Sequence, residues 1–133
     1  MSDCVFFYGT LMAGFDRRRR AEIDGKLAYR GRGSINAALF DLGIYPAAIP
    51  DPDSRVWGEV YHILDAVAVL TALDEIEGYT PEHPDRSLYV RSQVAVALPD
   101  GVQTEAWVYF YNAPLGQAQR IPSGDYFAHI RGR

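Results

Sequence analysis

The stretch Leu73-Asp74-Glu75-Ile76-Glu77-Gly78 sets three carboxylates within four positions. They end the segment AVAVLTALDEIEG, whose pattern predicts an amphipathic helix capped by Asp65 and stopped by Gly78. Advancing roughly 100° per residue from Ala66, Val69, Leu70 and Leu73 gather in one direction and form the core-facing stripe. Glu77 falls inside that stripe, Glu75 falls opposite it, and Asp74 sits on the flank. A carboxylate turned toward a core loses hydration and answers by raising its pKa. That is the tuning a general acid/base needs near neutral pH. The period alone leaves two other readings open: Glu77 frays out to solvent in the last turn, or it pairs with an arginine such as Arg91. The rival carboxylate is Glu59 in VWGEVY, which alternates with Trp57 and Tyr61 on one strand face. A structural role hydrogen-bonded at a sheet edge suits it better.

A second candidate is YGTL, residues 8–11, which follows the apolar run CVFF. Gly9 permits a close backbone approach or unusual dihedrals. Successive amides of Gly9, Thr10 and Leu11 can converge on an anion, and the Thr10 hydroxyl adds a donor. An ordinary turn fits the same letters. It is not a phosphate-binding P-loop, because no Gly-Lys-Ser/Thr follows at the required spacing. Tyr89 and Arg91 alternate in LYVRSQV, so they share a strand face and could line a polar pocket, but the residues alone favour a covered sheet surface. The run Arg17 to Arg20 reads as a solvated helix face. His62, His83 and His129 show no paired spacing with Cys or acidic residues, so no metal site is expected. Cys4, the only cysteine, reads as a packed strand residue. No Gly-x-Ser-x-Gly elbow and no Gly-x-Gly-x-x-Gly fingerprint occurs.

These residues need elements to hold them. CVFFY reads as a buried strand ended by Gly9. Asp16 can cap a short helix through RRRRAEI. KLAYRGRGSI and NAALFDLG read as strands with glycine breaks at Gly31, Gly33 and Gly43, the mark of a tightly curved sheet. IYPAAIPDPDS, with three prolines, reads as a turn region. RVWGEVYHI is again a strand, and YTPEHPDRS is a loop. LYVRSQVAVAL and VQTEAWVYFYN form a hairpin across Pro99-Asp100-Gly101, and SGDYF starts a short final helix. The sum is a small α+β domain on a mixed, barrel-like sheet, with one principal packed helix. One domain over residues 1–133 is expected from the length.

Composition narrows the function classes. Thirteen basic against seventeen acidic residues give a net charge of -4, which speaks against a nucleic-acid partner. The start, MSDCVFFYGT, has no basic and apolar leader pattern, and no run is long enough to span a bilayer. A single cysteine fits a reducing compartment. Together these place the chain in the cytoplasm with no membrane partner. No exposed apolar helix face is evident, which leans toward a monomer.

The segments FFYGTLM, ALFDLGIYPAAIP, VWGEVYHI, LDEIEGYTP, YVRSQVAV, AWVYFYN and IPSGDY, in that order and spacing, resemble the gamma-glutamyl cyclotransferase-like family. The resemblance covers nearly the whole chain and is closer to the short gamma-glutamylamine cyclotransferase-like branch than to the larger glutathione-specific relatives. It implies a small β-barrel with short flanking helices and a reaction that needs no cofactor. A gamma-glutamyl substrate closes on itself to 5-oxoproline and releases an amine, a transferase or lyase chemistry. It further implies that Tyr8, Gly9, Thr10 and Leu11 hold the glutamyl moiety and that Glu77 moves the proton. By the same resemblance Tyr45 and Pro46 shape a pocket rim and Tyr89 and Arg91 orient Glu77 or substrate; Asp125 and Tyr126 match a family end motif, but packing is expected of them. Two other readings share the fold: a non-catalytic module for a gamma-glutamyl or amino-acid-like ligand, and a tailoring enzyme that removes a gamma-glutamyl protecting group.

Overall fold

A computed structural model describes residues 3–9, 12 and 23–132. Thr10, Leu11, the capping residue Asp16 and the arginines 17–20 lie outside the described residues. In chain order the elements are β1 (Cys4–Phe7), β2 (Leu27–Asp41), β3 (Pro46–Ile63), α1 (Ala66–Glu77), β4 (Tyr89–Ala97), β5 (Gln103–Tyr111), β6 (Gln119–Arg120) and α2 (Tyr126–Arg131). The strands run in the order β3-β1-β5-β4-β2, and β2 pairs back onto β3. The sheet is therefore a closed five-stranded mixed barrel, with β1 parallel to β5 and the other pairings antiparallel. Closure removes the free edges that an open sheet would present. The expected α+β class holds. Among the described residues, no helix is long and apolar enough to cross a membrane.

β1 explains its own unbroken apolar run. Cys4, Phe6 and Tyr8 join one buried cluster with Val56, Val60, Val96, Val108 and Phe110. Val5 and Phe7 join a second, with Val69 and Leu73 of α1 and Tyr109. A strand with both faces covered needs no polar alternation. The second cluster is the layer between barrel and helix, so β1 is the strand over which the helix docks.

Two strand assignments differ from the sequence reading. Lys26 precedes a single strand, β2, that runs unbroken from Leu27 to Asp41. Gly31 does mark an irregularity, because the register with β3 shifts between Tyr29 and Gly31. The proline-rich stretch is not a turn, since β3 already begins at Pro46. Pro46 is the first strand residue, where a missing N–H costs little. The pairing then jumps: Asn36 faces Arg55 while Ala37 faces Pro50. Residues 51–54 bulge out, and Asp51 caps the excursion by accepting from the Asp53 amide at 2.9 Å. The prolines were legible as breakers, but a long bulge absorbs them without ending the strand.

The helix is built as its sequence implies. Asp65 accepts from the Ala68 amide at 3.2 Å. Gly78 closes the helix in the left-handed region, φ 68° and ψ 37°, where a side chain would cost about 1–2 kcal/mol. The β4–β5 hairpin forms across Asp100 and Gly101, with the Gly101 amide bonded to the Leu98 carbonyl at 3.1 Å. Asp125 caps α2 through the Ala128 amide at 3.1 Å and pairs with Arg32 at 2.8 Å, while Tyr126 is buried in the barrel core. Tyr126 packs as expected, whereas Asp125 serves as a cap and an ion-pair partner.

Candidate functional site

β1 delivers Tyr8 and Gly9 to the point where the barrel meets the end of α1. The Tyr8 hydroxyl donates to the Tyr109 carbonyl at 2.6 Å and accepts from the Ala48 amide at 3.3 Å. Three strands are thereby tied at one oxygen. Burial pushes the Tyr8 hydroxyl well above its ordinary pKa, and the charges of Tyr89 and Glu77 push it further. At neutral pH it is a donor and an anchor, not a base.

After Tyr8 the chain turns at once, with the Met12 amide donating to the Gly9 carbonyl at 3.0 Å. The turn is bare for a steric reason. A Cβ on Gly9 would lie 2.8 Å from Pro46 Cγ and 3.0 Å from Pro46 Cδ. Real carbon–carbon contacts settle near 3.5–4.0 Å. Only glycine lets the turn lie against the proline ring. Pro46 is in turn held from beneath, because Tyr89 donates to its carbonyl at 2.9 Å. Tyr45 and Tyr111 flank Tyr89, with ring centroids at 6.2 and 5.2 Å. Tyr8, Gly9, Tyr45, Pro46 and Tyr89, drawn from three separated parts of the sequence, are thus one assembly.

Glu77 closes it from the helix side. It is the last residue of α1 and half-buried. Its charge contributes to the raised pKa of both Tyr8 and Tyr109. The helical period puts this carboxylate on the core-facing side of α1, and its charge is felt at two buried hydroxyls of the barrel. The Arg91 guanidinium pairs with Asp74.

Asp74 is the residue that the sequence reading missed. Its carboxylate is largely enclosed, with 14% of the side chain exposed. It accepts from the Tyr109 hydroxyl at 2.5 Å and lies 3.4 Å from Arg91 Nε. That second contact is an ion pair without hydrogen-bond geometry, because Arg91 Nε has no hydrogen-bond partner. Arg91 also stacks over Trp107 at 4.6 Å and Tyr79 at 5.6 Å. Burial raises the Asp74 pKa, while the Tyr109 bond and the Arg91 charge pull it back down. Burial and the bond to Asp74 drive the Tyr109 hydroxyl far upward. A signal for Asp74 was available: it stands three residues before Glu77, and such pairs share a helix face. Tyr89 and Arg91, which the alternation allowed to cover an open sheet surface, are instead both enclosed beneath α1.

Glu59 faces Phe7 across the β1–β3 pair. It accepts from Tyr61 at 2.8 Å and lines a cavity of about 610 Å³ with Met12, Arg32, Trp57 and Phe127. The barrel is closed at β3, so Glu59 sits at no sheet edge. His83 immediately precedes a short 3-10 turn over Pro84–Arg86 without a side-chain capping bond, and His129 pairs with Asp41 at 2.9 Å. His62, by contrast, is brought beside Cys4 and Asp3 by the β1–β3 pairing.

Comparison with known proteins gives a consistent result. A family model described as gamma-glutamyl cyclotransferase, AIG2-like, matches residues 5–128. A protein of Methanocaldococcus jannaschii, provisionally named a gamma-glutamylcyclotransferase, is 32% identical over 123 residues, covering 92% of this chain and 93% of that one. The gamma-glutamylcyclotransferase family protein YtfP of Escherichia coli is 33% identical over 91 residues, 68% of each chain. Its solution structure superposes with a TM-score of 0.65 at 29% identity, covering 96% of this chain and 98% of YtfP. The crystal structure of an AIG2-like mouse protein shares the fold, with a TM-score of 0.66 at 23% identity over 84% of this chain and 79% of that one.

Proposed function

The chain belongs to the gamma-glutamyl cyclotransferase, AIG2-like family, and on that premise we propose that it converts a gamma-glutamyl amine or gamma-glutamyl amino acid into 5-oxoproline and the free amine, with Glu77 as general acid/base. The observation that supports the reading is the electrostatic influence of Glu77, the last residue of α1, on the buried hydroxyls of Tyr8 and Tyr109, beside the bare turn that ends β1.

The chemistry suits such a site. The nucleophile travels with the substrate, so ring closure is intramolecular and needs orientation above all. The α-ammonium first gives a proton to the Glu77 carboxylate, because a protonated amine cannot attack. The freed nitrogen adds to the γ-carbonyl carbon, and the carbonyl oxygen takes the negative charge. As the carbonyl re-forms, the bond to the departing nitrogen breaks and that nitrogen takes the proton back from Glu77, while the ring nitrogen, left with two hydrogens and a positive charge by its attack, gives up its second proton to the released amine, which departs as an ammonium. The carboxylate is regenerated, and the products are the five-membered lactam and the amine. No cofactor enters this balance.

The Gly9 turn supplies the second requirement. Backbone amides of Gly9, Thr10 and Leu11 bind either the substrate α-carboxylate or the oxyanion of the tetrahedral intermediate. Tyr8 serves by holding the turn, since its hydroxyl is committed to Tyr109 and Ala48. Tyr45, Pro46 and Tyr89 shape the wall that the turn rests on.

The test is a panel of gamma-glutamyl-ε-lysine, gamma-glutamyl-alanine and glutathione, with 5-oxoproline followed by mass spectrometry and Glu77→Gln run in parallel. Wild type forms product from at least one substrate, and the variant loses about 10²–10⁴-fold in kcat, the usual worth of general acid/base catalysis. Equal turnover by both proteins moves the proton transfer off Glu77. No product from a folded wild type with any substrate removes the reaction.

A further inference from the structure

The start of β1, at the other end of the strand from Gly9, gathers side chains that the cyclotransferase reading does not use. Cys4 faces His62 directly across the antiparallel β1–β3 pair, and directly opposed residues project from the same face. Asp3 adds a carboxylate that spans the two. One of its oxygens lies 3.8 Å from Cys4 Sγ, and the other lies 3.6 Å from His62 Nε2. The three donor atoms all fall within 4.8 Å of one another.

We propose that Asp3, Cys4 and His62 bind one divalent transition-metal ion of zinc's borderline softness. The donor set is one thiolate, one imidazole and one carboxylate, the mixture zinc accepts in tetrahedral sites. Metal–sulfur bonds near 2.3 Å and metal–nitrogen or –oxygen bonds near 2.0–2.2 Å put tetrahedral edges at roughly 3.3–3.6 Å. The observed 3.8 and 3.6 Å separations, one to each Asp3 oxygen, need only a few tenths of an ångström of closure, and the third edge, Cys4 to His62, lies within 4.8 Å and closes by at most about 1.2–1.5 Å through rotation of the imidazole. The parts that must move are free to do so: the Asp3 and His62 side chains are 72% and 48% exposed, while Cys4 is held in the core. The thiol loses its proton to solvent as the sulfur–metal bond forms. Two anionic ligands then balance the dication, and the fourth position opens to water.

Arg30 is compatible with this arrangement. Its Nη1 lies 3.9 Å from Cys4 Sγ and 3.1 Å from Thr104 Oγ1. It remains a hydrogen-bond donor to a metal-bound thiolate, the kind of outer contact that orients ligands and tunes affinity. The sequence hid the site because Cys4 and His62 are far apart along the chain. Only the β1–β3 register makes them neighbours.

The test uses the full chain, tag removed, stripped of metal and fully reduced. Titration with Co²⁺ should produce a thiolate-to-cobalt charge-transfer band in the near ultraviolet and the visible bands of tetrahedral cobalt, at one ion per chain, and Zn²⁺ should reverse both. Cys4→Ser should lose the charge-transfer band. Because Cys4 is a core residue, the exposed positions keep the test independent of folding: Asp3→Asn and His62→Ala should each lower Zn²⁺ affinity at least about tenfold, with an unchanged circular dichroism spectrum. Absence of a charge-transfer band at millimolar cobalt overturns the proposal. So does a Zn²⁺ affinity that neither Asp3→Asn nor His62→Ala alters. Neither result bears on the cyclotransferase reading, since the cluster stands at the start of β1 and Glu77 at the end of α1.

Discussion

Gly9→Ala puts one methyl group into space that Pro46 already occupies. The new Cβ would sit 2.8 Å from Pro46 Cγ, about 0.7 Å short of ordinary carbon–carbon contact. Gly9 is not among the glycines with positive φ, so the conflict is steric and not conformational. The ring cannot simply retreat, because the Pro46 carbonyl is bonded to Tyr89 and Tyr89 is wedged between Tyr45 and Tyr111. Overpacking of this kind costs about 1–3 kcal/mol. Replacing glycine also narrows the unfolded ensemble and returns about 0.4–1 kcal/mol. The net expectation is a loss of about 1–2 kcal/mol, a Tm lowered by roughly 3–8 °C in a chain of this length. Activity should suffer more than stability, because relief of the clash moves the turn relative to Glu77, and displacements of that order cost up to about 10²-fold. The assay pairs thermal unfolding with 5-oxoproline kinetics for Gly9→Ala, Pro46→Ala and the double variant. Removing the ring removes the obstacle, so the double variant should recover stability with a coupling of about 1 kcal/mol or more. Wild-type Tm and turnover in Gly9→Ala would refute the close-approach argument. A Pro46→Ala background that gives no relief would refute the identity of the obstacle.

Two further expectations concern the carboxylate that flanks the site. Tyr109→Phe removes the hydroxyl that Asp74 accepts from at 2.5 Å, and a hydrogen bond to a charged acceptor is worth about 1.5–3 kcal/mol. Urea unfolding should register a loss of that size, and an unchanged midpoint would refute the pairing. Burial raises the Asp74 pKa above its ordinary 3.8, so the folded state holds that proton more tightly than the unfolded chain. Its contribution is most favourable below pH 3.8 and is lost as pH rises through the raised folded value. Asp74→Asn removes that slope. Unfolding free energies measured across the acid range should therefore shift in favour of the variant as pH rises, on top of a constant loss from the unpaired Arg91. A difference between the two proteins that stays flat with pH would refute the shift.

Much of this architecture could be read from the chain because its signals are local. The Asp65 cap, the Gly78 stop, the Asp100-Gly101 hairpin and the Asp125 cap each depend on residues a few positions apart. The run CVFF announced burial on both faces, which the two core clusters bear out. What escaped depends on distant pairing. Prolines 46, 50 and 52 look like breakers until β2 supplies a partner strand and a bulge takes up Asp51 to Ser54. The reason for Gly9 lies in Pro46, and the chain alone does not say that the two meet. Closure of the barrel likewise turns Glu59 from an edge residue into one inside a paired strand.

The helix geometry decides how the two enclosed carboxylates divide their work. Three residues apart, Asp74 and Glu77 point about 60° from each other on one helix face, so any docking that brings one to the barrel brings the other near it. Asp74 meets Tyr109 and Arg91 and is held by both. Tyr109 in turn offers its carbonyl to Tyr8, at the root of the Gly9 turn. One residue of β5 therefore links the last turn of α1 to the last residue of β1's run. A carboxylate fixed this firmly is poorly suited to shuttle a proton to a substrate, since each transfer would disturb an ion pair and a hydrogen bond. It is well suited to hold the helix end at a set height above the turn. Glu77, one step further along, inherits that position while its own charge still reaches Tyr8 and Tyr109. Under the proposed mechanism, Asp74 is a positioning residue and Glu77 is left for proton transfer. On that division Asp74→Asn should lower kcat without shifting the acid limb of the pH–rate profile, whereas a mobile proton on Asp74 would carry that limb away with it.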